Sequence, residues 1–147
     1  MRRALGIVIA TLMSVPVGAE PLVAYTVDNY AIPTPLTTEP GDVERGRALA
    51  TQLEVANCLA CHAIPVEAEF PGTTGPDLAG VGDRLSPAQL RLRLVDPKQL
   101  NPMTMMPAYY RTQGLHRVAA EFIDQPILSA QQIEDLVAFL ASLKRAP

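Results

Sequence analysis

The sequence has few of the side chains that usually fill a hydrophobic core. Its 147 residues include no tryptophan, three phenylalanines and four tyrosines. It has only two cysteines, and its fourteen prolines interrupt the chain often. With so few large side chains, we expect something other than side chains to occupy part of the core.

The overall composition limits the class of protein. Hydrophobic residues make up 48% of the chain and charged residues 18%, which excludes a disordered acidic tail and a multi-pass membrane protein. The formal net charge is −3 at pH 7, whereas domains that bind nucleic acids usually carry a basic patch that neutralises phosphates. We therefore expect about one domain and no nucleic-acid partner.

Residues 1–19 have the pattern of a secretory signal peptide. Two arginines follow the initiating methionine, and sixteen uncharged residues then end at Ala19. This stretch is shorter than the roughly 20 apolar residues that span a bilayer. We predict cleavage after Ala19, no membrane span in the mature chain and a location in the bacterial periplasm, where disulfides persist.

The rest of the chain divides into an arm and a domain. Residues 20–40 contain four prolines and no helical period, which predicts an extended arm. Its apolar residues suggest that it packs against the domain or against a partner. Residues 41–147 form the predicted domain.

Three helix starts are predicted in the domain. Asp42 can cap a first helix, and Ser86 and Ser129 each begin a capping box with a glutamine three residues later. The helix after Ser86 must stop at Asp96, because Pro97 biases the preceding residue away from helix. The predicted apolar face of the first helix consists of Val43, Gly46, Leu49, Ala50 and Leu53. No alternating strand pattern appears, so the predicted fold class is all-α with long loops.

Both cysteines lie in one C-x-x-C-H motif formed by Cys58, Cys61 and His62. A thioredoxin-like dithiol needs a βαβ context that is absent, and a closed zinc site needs four ligands although His116 is the only other histidine. A disulfide across two residues would close a tiny loop and stabilise little. The remaining interpretation is one covalently attached haem c, bound through both thiols, with His62 as an iron ligand.

The loop Gly75-Pro76-Asp77-Leu78 resembles the G-P-x-L loop of class I cytochromes c. The resemblance implies a class I cytochrome c-like domain with three to five helices around the haem. It also implies that the Pro76 carbonyl accepts a hydrogen bond from the second ring nitrogen of His62, and that Leu78 lines the haem.

Four residues are candidates for the second axial ligand: Met103, Met105, Met106 and His116. In class I cytochromes c the ligand methionine is commonly followed by proline, and only Met106 has this neighbour, Pro107. The resemblance therefore favours Met106. Ligation by His and Met raises the reduction potential and fills both axial positions, which suits electron transfer and argues against oxygen binding.

A longer part of the chain resembles the SoxX family, the small haem subunits of the SoxAX sulfur-oxidation cytochromes. The resemblance rests on residues 104–110, T-M-M-P-A-Y-Y, and on the segment from Gly114 to Ser129. It implies a subunit of an L-cysteine S-thiosulfotransferase, which oxidatively couples thiosulfate to a cysteine of the carrier protein SoxY. The catalytic cysteine is then expected on the SoxA haem subunit, with no catalytic residue on this chain and a downstream cytochrome as electron acceptor.

The alternative function is a free-standing soluble electron carrier without a dedicated catalytic partner. A carrier of this kind is expected to have an exposed ring of like charge around the haem edge, and the sequence has no long charge run. Tyr109 and Tyr110 follow the predicted ligand and are either core residues or part of a dry interface with a partner subunit.

Overall fold

The computed structural model describes residues 22–68 and 70–145. The predicted signal peptide and its cleavage site lie outside the described residues. The helices are α1 (Val43–Thr51), α2 (Val81–Arg84), α3 (Pro87–Val95) and α4 (Ala130–Ser142), with short 3₁₀ turns at Cys58–Ala60, Pro97–Gln99 and Ala120–Phe122. In the described ranges the only β pairing is an isolated bridge between Asp28 and Ala31. The prediction of an all-α fold with three to five helices is confirmed.

The three predicted helix starts are present. The carboxylate of Asp42 caps α1, and Ser86 and Ser129 form complete capping boxes at α3 and α4. The last helical residue of α3 is Val95, one residue before the predicted stop at Asp96. None of the helices in the described ranges is long and apolar enough to cross a membrane.

One part of the predicted apolar face of α1 is wrong. The helix ends at Thr51, and the backbone of Gln52 is extended. Leu53 therefore lies beyond the helix and is 76% exposed, and Val43 in the first turn is also exposed. The buried part of the face consists of Gly46, Leu49 and Ala50.

The first and last helices pack closely at Gly46. A Cβ atom on this residue would lie 2.0 Å from the backbone oxygen of Asp135 in α4, so a larger residue would push the helices apart. The Asp135 carboxylate accepts hydrogen bonds from the Arg45 guanidinium and from the Asp42 backbone, both at 2.8 Å. Burial raises the pKa of Asp135, but these hydrogen bonds outweigh burial and hold it below its ordinary value.

A buried ion pair anchors the arm. Nε of Arg91 in α3 lies 2.7 Å from Oε1 of Glu134 in α4, and each side chain is 5% exposed. Arg91 also donates to the Ile32 carbonyl at 2.7 Å, and Glu134 accepts from the Leu36 backbone at 2.8 Å. Since Ile32 and Leu36 are themselves buried, this part of the arm packs against the domain.

The core lies where α3, α4 and the arm meet. Its most deeply buried side chains are Ile32, Leu92, Leu94, Val95, Leu128, Ile133 and Leu136. Leu90 and Leu94 of α3, together with Leu140 of α4, also line a large cavity. The same two helices therefore build the core and position the walls of the site.

Candidate haem site

A cavity of about 660 Å³ brings together the residues that the sequence singles out. Its lining includes Cys58, Cys61, His62 and Met106. The apolar walls are formed by Val81, Leu85, Leu90, Leu94, Leu100 and Leu140. This volume falls within the range of about 300–1,000 Å³ that is typical of cofactor sites. The sequence has few large side chains, and the fold indeed contains a cavity that its side chains do not fill.

A short helical turn positions the two cysteines. Asn57 has left-handed backbone angles, φ 43° and ψ 50°, and begins the 3₁₀ turn Cys58–Ala60. The backbone nitrogens of Cys61 and His62 both donate to the Cys58 carbonyl, at 3.1 and 2.9 Å. This helical turn places both thiols in the wall of the cavity.

The environment of Cys58 differs from that of a redox-active thiol. Burial raises the pKa of its thiol to about 11. Cysteines that exchange disulfides have lowered pKa values, because the thiolate is the reactive species. The structure therefore gives no support to a redox dithiol, whereas a half-buried thiol in an apolar wall suits covalent attachment of a cofactor.

The ring of His62 is oriented by the loop that follows it. Its Nδ1 atom donates to the Pro76 carbonyl at 2.6 Å, which leaves Nε2 as the ring atom that can bind a metal. The loop is tied back to the motif, because Gly75 donates to the Cys61 carbonyl at 2.7 Å. Leu78 is half-buried and lines the cavity.

The four candidates for the second ligand differ in their exposure and in whether they line the cavity. Met106 is half-buried, packs against the core and lines the cavity. Met105 also lines the cavity but is 77% exposed, and Met103 is 87% exposed and lies outside the lining. His116 is exposed and does not line the cavity. This geometry favours Met106, whose role as a ligand stays a prediction.

Comparison with known proteins identifies the family. A family model described as cytochrome c matches residues 43–144. The chain belongs to the cytochrome c family. Its structure is similar to a chain in the crystal structure of SoxXA from P. pantotrophus, with a TM-score of 0.78 and 39% sequence identity, over 87% of this chain and 100% of that chain. No match is found among curated protein sequences. The resemblance to the SoxX family is confirmed, and the cofactor of this cytochrome is a covalently bound haem c.

Tyr109 and Tyr110 are core residues of the cytochrome, since they are 6% and 3% exposed. The backbone of Tyr109 donates to the Leu94 carbonyl at 3.0 Å, and its hydroxyl donates to the Ala56 carbonyl at 2.9 Å. Burial raises the pKa of the Tyr109 hydroxyl. The interpretation of the two tyrosines as an interface with a partner is therefore wrong, because they attach the methionine loop to α3.

Two arginines that the sequence analysis did not single out also line the cavity of the cytochrome, Arg84 and Arg93. Arg84 donates to the Ala79 carbonyl at 2.7 Å, and Arg93 donates to the Gln89 carbonyl at 3.1 Å. Burial lowers the pKa of Arg93, and the ion pairs found among the described residues include neither arginine. A haem bound in this cavity would have two cations nearby to interact with its carboxylate groups. The position of Arg93 between Leu90 and Leu94, on a predicted helix, was the signal that could have revealed it.

Gly75→Ala is expected to weaken the bond between His62 and the haem iron. The new Cβ atom would lie 2.3 Å from Cε1 of His62, so the ring must rotate and lose its hydrogen bond to Pro76. Partners of this kind are worth about 10- to 100-fold in metal affinity, whereas the two thioether bonds keep the haem on the chain. The low-spin absorbance of the haem is therefore expected to be lost at a higher pH on acid titration than in the control Thr74→Ala, since Thr74 is exposed. An acid transition at the same pH in both variants would contradict the expectation.

Proposed function

We propose that this cytochrome is the electron-transfer subunit of a SoxAX-type L-cysteine S-thiosulfotransferase in the bacterial periplasm. The observation that carries the proposal is the match over the full length of a SoxXA chain at 39% identity. Its partner is then a SoxA-type haem subunit, which forms a heterodimer with it. The carrier protein SoxY meets the complex transiently, and a downstream cytochrome accepts the electrons.

The residues of the cavity take distinct roles in this proposal. Cys58 and Cys61 would hold the haem through thioether bonds, and His62 and Met106 would bind its iron. Pro76 fixes the orientation of the His62 ring through the 2.6 Å hydrogen bond. Leu78 lines the haem. When bound, the haem supplies reversible storage of one electron.

The use of both thiols explains why the sulfur chemistry needs another subunit. The sequence has no cysteine besides Cys58 and Cys61, so no thiol of this chain remains to form a conjugate with thiosulfate. The catalytic cysteine therefore belongs to SoxA. With His62 and Met106 both bound to the iron, no position would be left for oxygen, and the haem would supply electron transfer.

The cavity walls suit an electron acceptor. The lining is mostly apolar, and Arg84 and Arg93 are the residues with a formal charge in the part of it that the structure describes. Nearby positive charge favours the reduced state of the iron, because that state carries one positive charge less. A methionine ligand raises the reduction potential as well. The exposed residues of the lining include the uncharged Cys61, Thr74, Met105 and Pro107, together with the charged Arg84. With one charged residue among the exposed residues described there, the lining does not form the ring of like charge expected of a free carrier, which supports a dedicated partner.

Co-purification tests the proposal. The chain, tagged at its C-terminus, is isolated from its host under mild conditions, and the haem proteins in the eluate are identified by mass spectrometry. We expect a second haem protein in about equal amount, carrying a cysteine outside its haem motifs. The control is the same tag on an unrelated exported protein. A cytochrome recovered only as a monomer would support the free-standing carrier instead.

A further inference from the structure

The methionine loop, residues 101–107, is held in shape by its own hydrogen bonds. The backbone of Thr104 donates to the Asn101 carbonyl at 3.0 Å, and the backbone of Met103 donates to the Asn101 side chain at 3.0 Å. The hydroxyl of Thr104 accepts from the backbone nitrogen of Met106 at 3.2 Å. Thr104 is therefore the residue of the loop that contacts Met106 directly through a hydrogen bond.

One side chain outside the loop is attached to Thr104. The ammonium group of Lys98 donates to the Thr104 carbonyl at 2.7 Å. Lys98 lies in the 3₁₀ turn Pro97–Gln99, which directly follows α3. It is half-buried, and no ion pair found among the described residues includes it. Its charge is thus directed at a backbone carbonyl of the loop.

The far side of the loop is attached to the same part of the fold. After Met106 the chain returns to α3, where the backbone of Tyr109 donates to the Leu94 carbonyl at 3.0 Å and that of Tyr110 to the Val95 carbonyl at 3.3 Å. Met106 therefore lies between two attachments, one made by Lys98 and one made by the end of α3. The first of these is made by a side chain, and the second by backbone hydrogen bonds to α3.

The hydrogen bond from Lys98 matters because two adjacent methionines are close enough to the site to supply the sulfur. Met105 and Met106 both line the cavity, so a shift of one residue along the loop would exchange the sulfur that faces the haem. The hydrogen bond between the Thr104 hydroxyl and Met106 opposes this shift only if Thr104 is itself fixed.

We propose that Lys98 is a positioning residue for the axial methionine: it fixes Thr104, whose hydroxyl fixes the backbone of Met106. The proposal rests on the role of Met106 in the proposed function and adds the residues that hold it. When Lys98 is replaced, the loop becomes more mobile and the methionine leaves the iron more readily. An added ligand then competes with it more successfully.

The experiment replaces each of the two lysines of the chain by leucine, in the holoprotein. Lys144 is the matched control, because it also donates to a backbone carbonyl, that of Gly82, away from the methionine loop. Two quantities are measured in the oxidised state: the weak near-infrared band of His/Met ligation and the dissociation constant of added imidazole. A hydrogen bond from a charged donor is worth at least about a factor of ten in an equilibrium constant.

For Lys98→Leu we therefore expect a weaker band and imidazole binding that is at least about tenfold tighter. Lys144→Leu is expected to match the wild type in both measurements. Lys98→Arg is expected to restore most of the band, because a guanidinium can donate to the same carbonyl. A purely structural role for Lys98 would change the unfolding transition without changing the band of the folded protein.

Thr104→Val keeps the proposal testable if Lys98→Leu fails to fold. This change removes the hydroxyl acceptor at nearly constant shape and is expected to tighten imidazole binding, whereas Thr104→Ser is expected to behave as the wild type. Imidazole binding as weak as in the wild type, in Lys98→Leu or in Thr104→Val, would overturn the proposal. If Met106→Ala still loses the band in that case, the ligand assignment stands and only the role of Lys98 fails.

Discussion

In the oxidised holoprotein, Met106→Ala is expected to abolish the near-infrared band. The band comes from the bond between a methionine sulfur and the iron, and alanine offers no sulfur. The reduction potential is expected to fall by on the order of 0.2 V, since axial ligands set haem potentials over a range of about 0.8 V. Near-infrared absorbance and a redox titration measure the two effects.

The neighbouring methionines provide matched controls for this experiment. Met103→Ala and Met105→Ala remove side chains that are 87% and 77% exposed, so both variants are expected to keep the band and the potential of the wild type. A band that survives in Met106→Ala but disappears in one of the other two would move the ligand to that methionine.

The second large effect is expected when both attachment cysteines are replaced. In Cys58→Ala/Cys61→Ala the haem should become extractable into acidified organic solvent, because no thioether bond retains it. The chain should also lose much of its helical structure once the haem is removed. Leucines of α3 and α4 line the cavity of about 660 Å³, so these helices lose a shared packing surface when the cavity fills with water.

Far-ultraviolet circular dichroism and haem extraction measure this outcome. The single variant Cys61→Ala is the control, because it keeps the thioether of Cys58 and is expected to stay folded with its haem retained. A double variant that remains folded and stable without haem would contradict the idea that the cofactor fills the core.

Features fixed by short stretches of sequence could be predicted. A cap needs only a side-chain oxygen and a backbone nitrogen three residues later, so Asp42, Ser86 and Ser129 each mark a helix start. The haem motif is local in the same sense, because a single turn brings Cys58 and Cys61 to one side. These signals identify the haem, the helix starts and the residues around the attachment site.

Features that depend on distant contacts could not be predicted. The four-residue helix α2 follows Gly80, which has φ +66°, and it is held by the chain after α4, where the Leu143 carbonyl accepts from the Gly82 backbone at 3.1 Å. The four residues of α2 contain no signal that predicts this contact. The buried position of Tyr109 illustrates the same limit. Its backbone and its hydroxyl form hydrogen bonds to the carbonyls of Leu94 and Ala56, which are distant in sequence.

The contacts of Glu134 also determine which parts of the chain must be present before the fold can close. Glu134 accepts a hydrogen bond from Leu36, which lies 98 residues earlier, and α4 is the main packing partner of α1. The beginning of the domain therefore has no complete core until the last helix has docked. Leu140 of that helix also lines the cavity beside Cys58 and Cys61. A chain that ends before α4 would therefore lack both the closed core and part of the wall around its attachment cysteines.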